Sequence, residues 1–422
     1  MNDEDEPPLL HAFMGYGIEL EYMIVDREQL SVLPVADRLL RSAPDNQSSD
    51  GNEVHHGLLG WSNELVMHVI EVKNLRPTLS LSQLPDAFQA ELRQIDRLLQ
   101  PLGARLMPGA MHPWMDPVTE TRLWPHDNDA IYRTYDRIFD SRSHGWANLQ
   151  SMHINLPFAD DVEFERLHAA IRLVLPILPA LAASSPIADG SATDWADYRM
   201  HVYSDNARAI PSIAGMIVPE TITSRKAYEQ RILAPMYRDI APHDPDKVLQ
   251  QEWLNSRGAI ARFDRNAIEI RVVDTQECPR ADLAIAAATV DVVRTLYRAD
   301  RDDLIAQQEM STAALSSILQ ACVRDAEQAV IDNGNYLRLL GYPGQRCSAA
   351  ELWWHLIGRM LDEDAGHAQH WGNALQVMLE QGPLARRLLR AVDGDFSRAR
   401  LHAVYGQLSD CLLEGRMFVP AL

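Results

Sequence analysis

The chain has 422 residues, 46% of them hydrophobic, which is material for one large domain with elaborations or for two domains around a substantial core. Its 39 Lys and Arg stand against 59 Asp and Glu, a formal charge of -20 that repels nucleic-acid phosphate and anionic lipid, although a local basic pocket for a phosphorylated small molecule stays open. "MNDEDEPP" lacks the features of an export signal, no apolar run is long enough to span a bilayer, and four scattered cysteines form no C-x-x-C pair. These features predict a soluble cytoplasmic protein without a disulfide framework or zinc site, and with no nucleic-acid or membrane partner.

Residues 1–12 read as a disordered acidic leader. In "MGYGIELEYMIVD" (14–26), Ile18, Leu20 and Tyr22 alternate with Glu19 and Glu21, the period of a strand. A polar stretch over 42–60 reads as a loop containing His55 and His56. "SNELVMHVIEVKN" (62–74) fits a strand or a short helix, and its Glu64 and Glu71, seven apart, share a face only if the segment is helical or bulged. A helix follows over 82–100, stopped by Pro101, then a proline-rich packed loop over 103–128. In that loop "MHPWMDP" suits either a pocket wall or plain packing. Arg133, Arg137 and Arg142 suit either a basic edge or helix salt bridges.

"WANLQSMHINLPF" (146–158) reads as the second strand, with a helix over 161–183 and the loop "SSPIADGSATDW" after it. The third strand is "NAIEIRVVDTQ" (266–276), and Pro279 opens a long helix through 297. Beyond 300 the pattern is almost wholly helical, and Trp353-Trp354 reads as helix packing. Antiparallel-looking strands separated by irregularly spaced helices argue for an α+β fold. There is no dinucleotide or Walker-type glycine loop, so any nucleotide must be held by another architecture.

Each of the three strands has an apolar face and an ionisable one. Glu19 and Glu21 share a side, as do His153 and Asn155, and Glu269 and Arg271. A wet outer sheet face would carry a mixture of Lys, Thr, Ser and Glu, whereas this inventory is that of a metal and anion site. Paired carboxylates need a cation or water between them, and oxygen ligands with one imidazole favour Mg²⁺ or Mn²⁺ over zinc.

Five segments, "GYGIELEYMIVD", "ELVMHVIEVKNLRPT", "SMHINLPF", "LPALAASSPIADGSATDWADYR" and "NAIEIRVVDTQ", occur in the order and at about the spacing found in glutamate–cysteine ligase family 2. The sequence resembles that family, also described as carboxylate-amine ligases, over about residues 14–300. The family belongs to the glutamine synthetase and guanido kinase superfamily.

The resemblance implies an antiparallel sheet curved into a funnel, helices on its outer side, and ATP with Mg²⁺ bound inside. It assigns 13–300 to a glutamine synthetase-like catalytic domain and leaves 301–422 as a helical region packed on it. Matched position by position, it makes Glu19, Glu21, Glu71, His153 and Glu269 metal ligands, with Glu64 matching less closely. Arg271 and Arg199 become catalytic contacts to phosphate or the substrate carboxylate, and Arg271 and Asn155 nucleotide contacts.

The implied reaction activates a carboxylate as an acyl phosphate for attack by an amine, with glutamate and cysteine as leading substrates. A phosphotransferase acting on a guanidino or carboxyl acceptor, or a non-catalytic nucleotide sensor, are the alternatives. A homodimer is expected by analogy. The stretch Asn266-Ala267-Ile268 departs from the family in lacking a Gly-Thr before Glu269.

Overall fold

The computed structural model describes residues 9–43 and 52–420. Among the described residues, ten strands occur through residue 274: β1 (Gly17–Asp26), β2 (Glu53–His56), β3 (Leu59–Asn63), β4 (Val69–Asn74), β5 (Ala104–Met107), β6 (Ser151–Pro157), β7 (Ile187–Ala188), β8 (Ser191–Ala192), β9 (Ala259–Arg262) and β10 (Ala267–Asp274). All but β7 and β8, which form a small hairpin, join one eight-stranded sheet of order β2-β3-β4-β1-β6-β10-β9, with β5 beside β1. Its pairings are all antiparallel. The fold is α+β.

Alternation along β1 decides what each sheet face meets. Ile18, Leu20, Tyr22 and Ile24 are fully buried on one side, in the main core. That core also takes in the helices Leu84–Leu99, Asp161–Val174 and Pro279–Tyr297. The first presents Leu84, Phe88, Leu92, Ile95 and Leu99 as a buried stripe, with Pro85 in its opening turn. The second is capped by Asp160, whose carboxylate accepts from the Val162 and Glu163 N–H groups. The third begins at Pro279 and is alanine-rich, which lets neighbouring elements approach closely; the helices Ala349–Glu363 and Ala365–Gln381 pack on it.

The opposite face is divided. Glu19 and Glu21 occupy one half; in the other, Met23 and Val25 pack in a second core with Leu401, Val404, Tyr405 and Leu408 of the C-terminal helix Arg398–Glu414. Helices therefore cover both sides of the sheet, and the C-terminal one closes the apolar half of the carboxylate-bearing face.

The remaining differences from the sequence reading are local. The polar stretch expected as a loop over 42–60 contains the β2–β3 hairpin, with His55 and His56 on β2 rather than in a loop; its residues 44–51 lie outside the described residues. The proline-rich segment contains β5 and the short helix Pro117–Glu120, while Met111, His112 and Met115 are buried packing residues. β9, absent from the sequence reading, pairs with β10. The helical region beyond 300 contains a short pair, Val330–Ile331 with Cys347–Ser348.

Of the expected leader, residues 1–8 lie outside the described residues, whereas His11 Nδ1 is 2.8 Å from Glu163 and the Ala12 N–H donates to it over 2.9 Å. Arg133 forms an ion pair with Asp129 one turn away, and Arg137 donates to the His243 carbonyl over 3.0 Å. Trp353 is buried and Trp354 about half exposed.

Candidate active site

Register brings the polar residues together. Glu19 pairs with Lys73 on one side and His153 on the other; Glu21 pairs with Glu71, and Asn155 lies between Gly17 and Glu269. Residues distant in the chain thus share a small patch. Gly17 sits at a close approach: a Cβ there would lie 3.0 Å from the Asn155 Cβ, tighter than most real contacts. Asn155 in turn donates to Glu19 Oε1 over 3.0 Å.

His153 is the hub. Its Nδ1 lies 3.1 Å from Glu19 and 3.6 Å from Glu269, and its Nε2 lies 3.0 Å from the Ser151 hydroxyl and 3.9 Å from Glu21. Ser151 fixes Glu21 with two donors, its backbone N–H at 2.7 Å and its hydroxyl at 3.0 Å. Glu71 accepts from Ser62 at 2.8 Å and from Lys73 at 3.0 Å.

Glu64 and Glu71 do meet, but through neither a helix nor a bulge. Glu64 directly follows β3 and Glu71 is on β4, so the reversal between the two strands apposes them.

Ligand atoms of Glu19, Glu71 and His153 all lie within 4.8 Å of one another, as do those of Glu21, Glu64 and Glu71. Glu71 belongs to both groups. Burial pushes the Glu64 carboxyl well above its usual range, with Glu21 and Glu71 adding to the rise; burial also raises Glu71, helped by Glu19. Burial opposes the charge on His153, but the Glu19 hydrogen bond and the nearby carboxylates win, lifting it to about 9. Glu19 is held below the carboxylate range because His153, Lys73 and Arg265 outweigh its burial. Crowded carboxylates and one imidazole are a donor set that fits hard divalent cations.

Glu269 is in neither group. It is 2% exposed and bound by two arginines, Arg271 Nε at 2.5 Å and Arg262 Nη1 at 3.3 Å. Arg271 also donates from Nη1 to the Asn255 carbonyl over 3.3 Å; its Nη2 donates to no described residue.

Arg199 departs from expectation. It is 1% exposed, its Nε donates to Asp274 over 2.5 Å, and its Nη2 is buried with no partner among the described residues. Enclosed in this way, the guanidinium holds Asp274. Asp274 also accepts from the Ser184 N–H at 2.8 Å and the Ser185 hydroxyl at 3.0 Å.

A register shift between Ile270 and Val273 lets Asp274 pair with Ser151. Strict alternation would have put Asp274 on the core side with Ile268 and Ile270. Ser151 and Lys73, by contrast, could have been found from their two-residue offsets from His153 and Glu71. Arg262 was hidden with β9.

Comparison with known proteins adds a decisive observation: the model of glutamate–cysteine ligase family 2 (GCS2) matches residues 16–398. The chain belongs to glutamate–cysteine ligase family 2. A relative within reach of this GCS2 chain, an uncharacterized protein of Archaeoglobus fulgidus, is 35% identical over 407 residues, 96% of this chain and 100% of that protein. A Bradyrhizobium diazoefficiens protein provisionally named glutamate–cysteine ligase 2 is 27% identical over 296 residues, 68% of this chain; the match spans only 60% of the named relative's length.

Among solved structures, the glutamate–cysteine ligase of Francisella tularensis in complex with AMP superposes with a TM-score of 0.56 at 13% identity, covering 94% of this GCS2 chain and 91% of that one. A bifunctional glutathione synthetase from Pasteurella multocida gives 0.50 at 14% identity, covering 94% and 53%. At these identities the likeness is one of fold. No helix among the described residues is long and apolar enough to cross a membrane.

Proposed function

We propose that this protein is an ATP-dependent carboxylate-amine ligase that activates an acid as its acyl phosphate and passes the acyl group to an amine, with glutamate and cysteine as the leading pair. The observation that carries the reading is the pair of ligand groups sharing Glu71, in a chain of this family. The AMP of the Francisella enzyme and the provisional name of the Bradyrhizobium relative support the choice of nucleotide and substrates.

In this proposal the carboxylate-bearing face is the wall of a funnel, residues 13–300 form the catalytic domain and 301–422 pack on it. Glu19, Glu71 and His153, with Glu21 and Glu64, would hold Mg²⁺, or Mn²⁺, which supplies charge neutralisation for the phosphoryl group in flight. Ser151, Ser62 and Asn155 orient those carboxylates before any substrate arrives. Arg271 is fixed by Glu269 and the Asn255 carbonyl and offers its Nη2 to an anionic oxygen of phosphate or substrate. Arg199 holds Asp274, the register partner of Ser151.

The test is release of ADP and phosphate from the purified chain, with a panel of amino-acid pairs and Mg²⁺, and the product mass read directly. Turnover that requires both an acid and an amine, with a product of amide mass, supports the ligase. A stable phosphorylated product with no amide, or ATP stabilising the fold while no mixture is consumed, would replace it.

A further inference from the structure

On the helical side of the sheet, away from the carboxylate face, a half-open cavity of about 240 Å³ lies among the segment before Leu84, the helix Pro279–Tyr297 and the start of the helix Ala365–Gln381. It is smaller than the roughly 300–1,000 Å³ of sites for drug-sized ligands. A whole nucleotide would not be enclosed there, whereas a small metabolite would.

The cavity presents charges of both signs, and two of them, Asp291 and Arg294, are not joined to each other by a hydrogen bond or ion pair. Asp291 is half-buried in its wall and makes no hydrogen bond or ion pair with any described residue. Burial raises its carboxyl above the usual value, despite the opposing charges of His367 and Arg294. Arg294, one turn further along the same helix, has no carboxylate partner among the described residues: its Nη2 donates to the Tyr16 hydroxyl over 2.6 Å and its guanidinium lies 5.3 Å from the centroid of the Phe13 ring. Facing them, His367 has its Nε2 3.9 Å from Asp364, also in the wall, and a buried Nδ1 without a hydrogen-bond partner among the described residues, while buried Trp371 supplies an apolar wall.

An acid and a base that are fixed near each other yet unpaired match a ligand that carries both charges. We propose that this cavity binds a free α-amino acid, its ammonium at Asp291, its carboxylate at Arg294 and His367, and a short side chain against Trp371. An isolated anion would leave Asp291 facing like charge, and an isolated amine would leave Arg294 unused. The cavity is tied to the carboxylate face through Tyr16, which precedes Gly17 of β1 and is held by paired backbone bonds of 2.9 Å to Thr78. The proposal does not depend on the ligase reading.

Isothermal titration calorimetry of the full chain with L-alanine, L-valine and L-glutamate, against propionate and propylamine as halves of the same group, tests it. L-alanine or L-valine should bind, with affinity falling at least tenfold in both Asp291→Asn and Arg294→Gln and changing less than twofold in Glu414→Gln, an exposed residue outside the cavity lining. Propionate and propylamine should each bind at least tenfold more weakly than that amino acid. Asp291→Asn removes an unpaired carboxylate and should fold; circular dichroism checks this, and Arg294→Gln gives the same readout if it does not. Absence of binding, binding indifferent to both substitutions, or propionate binding as tightly as the amino acids would overturn the assignment.

Discussion

Glu21 and Glu71 stand directly opposite each other across β1 and β4, both less than a tenth exposed. Like charges in a cross-strand pair weaken a sheet, and burial sharpens the effect. Glu71→Gln should therefore stabilise the metal-free protein by about 1 kcal/mol, on the scale of such pairs. It should also remove most of the rise in Tm that Mg²⁺ brings by binding the folded state. Thermal unfolding with and without MgCl₂ checks both; an equal Mg²⁺ response in the two proteins would dismiss Glu71 as a ligand.

Glu19→Gln should end metal-dependent ATP turnover while the fold survives. Arg271→Lys keeps the charge but not the fork that spans Glu269 and the Asn255 carbonyl, and should lower kcat/KM by at least about tenfold, or roughly 1.4 kcal/mol of barrier. Steady-state assays beside circular dichroism separate lost chemistry from lost structure.

The Arg199–Asp274 pair is buried on both sides. Truncating one partner strands the other charge, so Asp274→Ala should cost on the order of 3–5 kcal/mol by urea unfolding. A loss below about 1 kcal/mol would mean that water reaches the pair.

These residues also show what could be read from the chain. Period-two patterning was legible in β1, β6 and β10 because each has one face in the core, and Glu19, His153 and Glu269 followed from it. Three things were not. A hairpin apposes Glu64 and Glu71, which linear spacing cannot express. A bulge moves Asp274 to the polar side, and bulges leave no mark in a hydrophobic pattern. Arg199 was named from the family resemblance alone, and its burial beside Asp274 is a tertiary fact that no local pattern expresses.

His168 lies 3% exposed near Phe164 and Tyr228, with neither ring nitrogen hydrogen-bonded to a described residue. Burial, with Arg172 and Arg257 nearby, lowers it to about 3 from 6.5. The unfolded chain therefore takes up a proton near pH 6.5 that the folded one refuses until about pH 3. Stability is full above the first value and lost progressively as pH falls towards the second, at up to about 1.4 kcal/mol per pH unit. His68 and His112 act in the same direction, lowered mainly by burial to about 4 and 3. His168→Leu should make urea midpoints depend less steeply on pH between 6.5 and 5; an unchanged slope would show the ring to be solvated.

Residues 19, 71, 153 and 269 reach one another only across the assembled strands. A chain ending before residue 153 lacks one member of the Glu19, Glu71 and His153 group, however well its earlier portions fold. In the proposed ligase, dication affinity would therefore report on the meeting of β4, β1 and β6, and the cofactor would be captured only once those strands have paired.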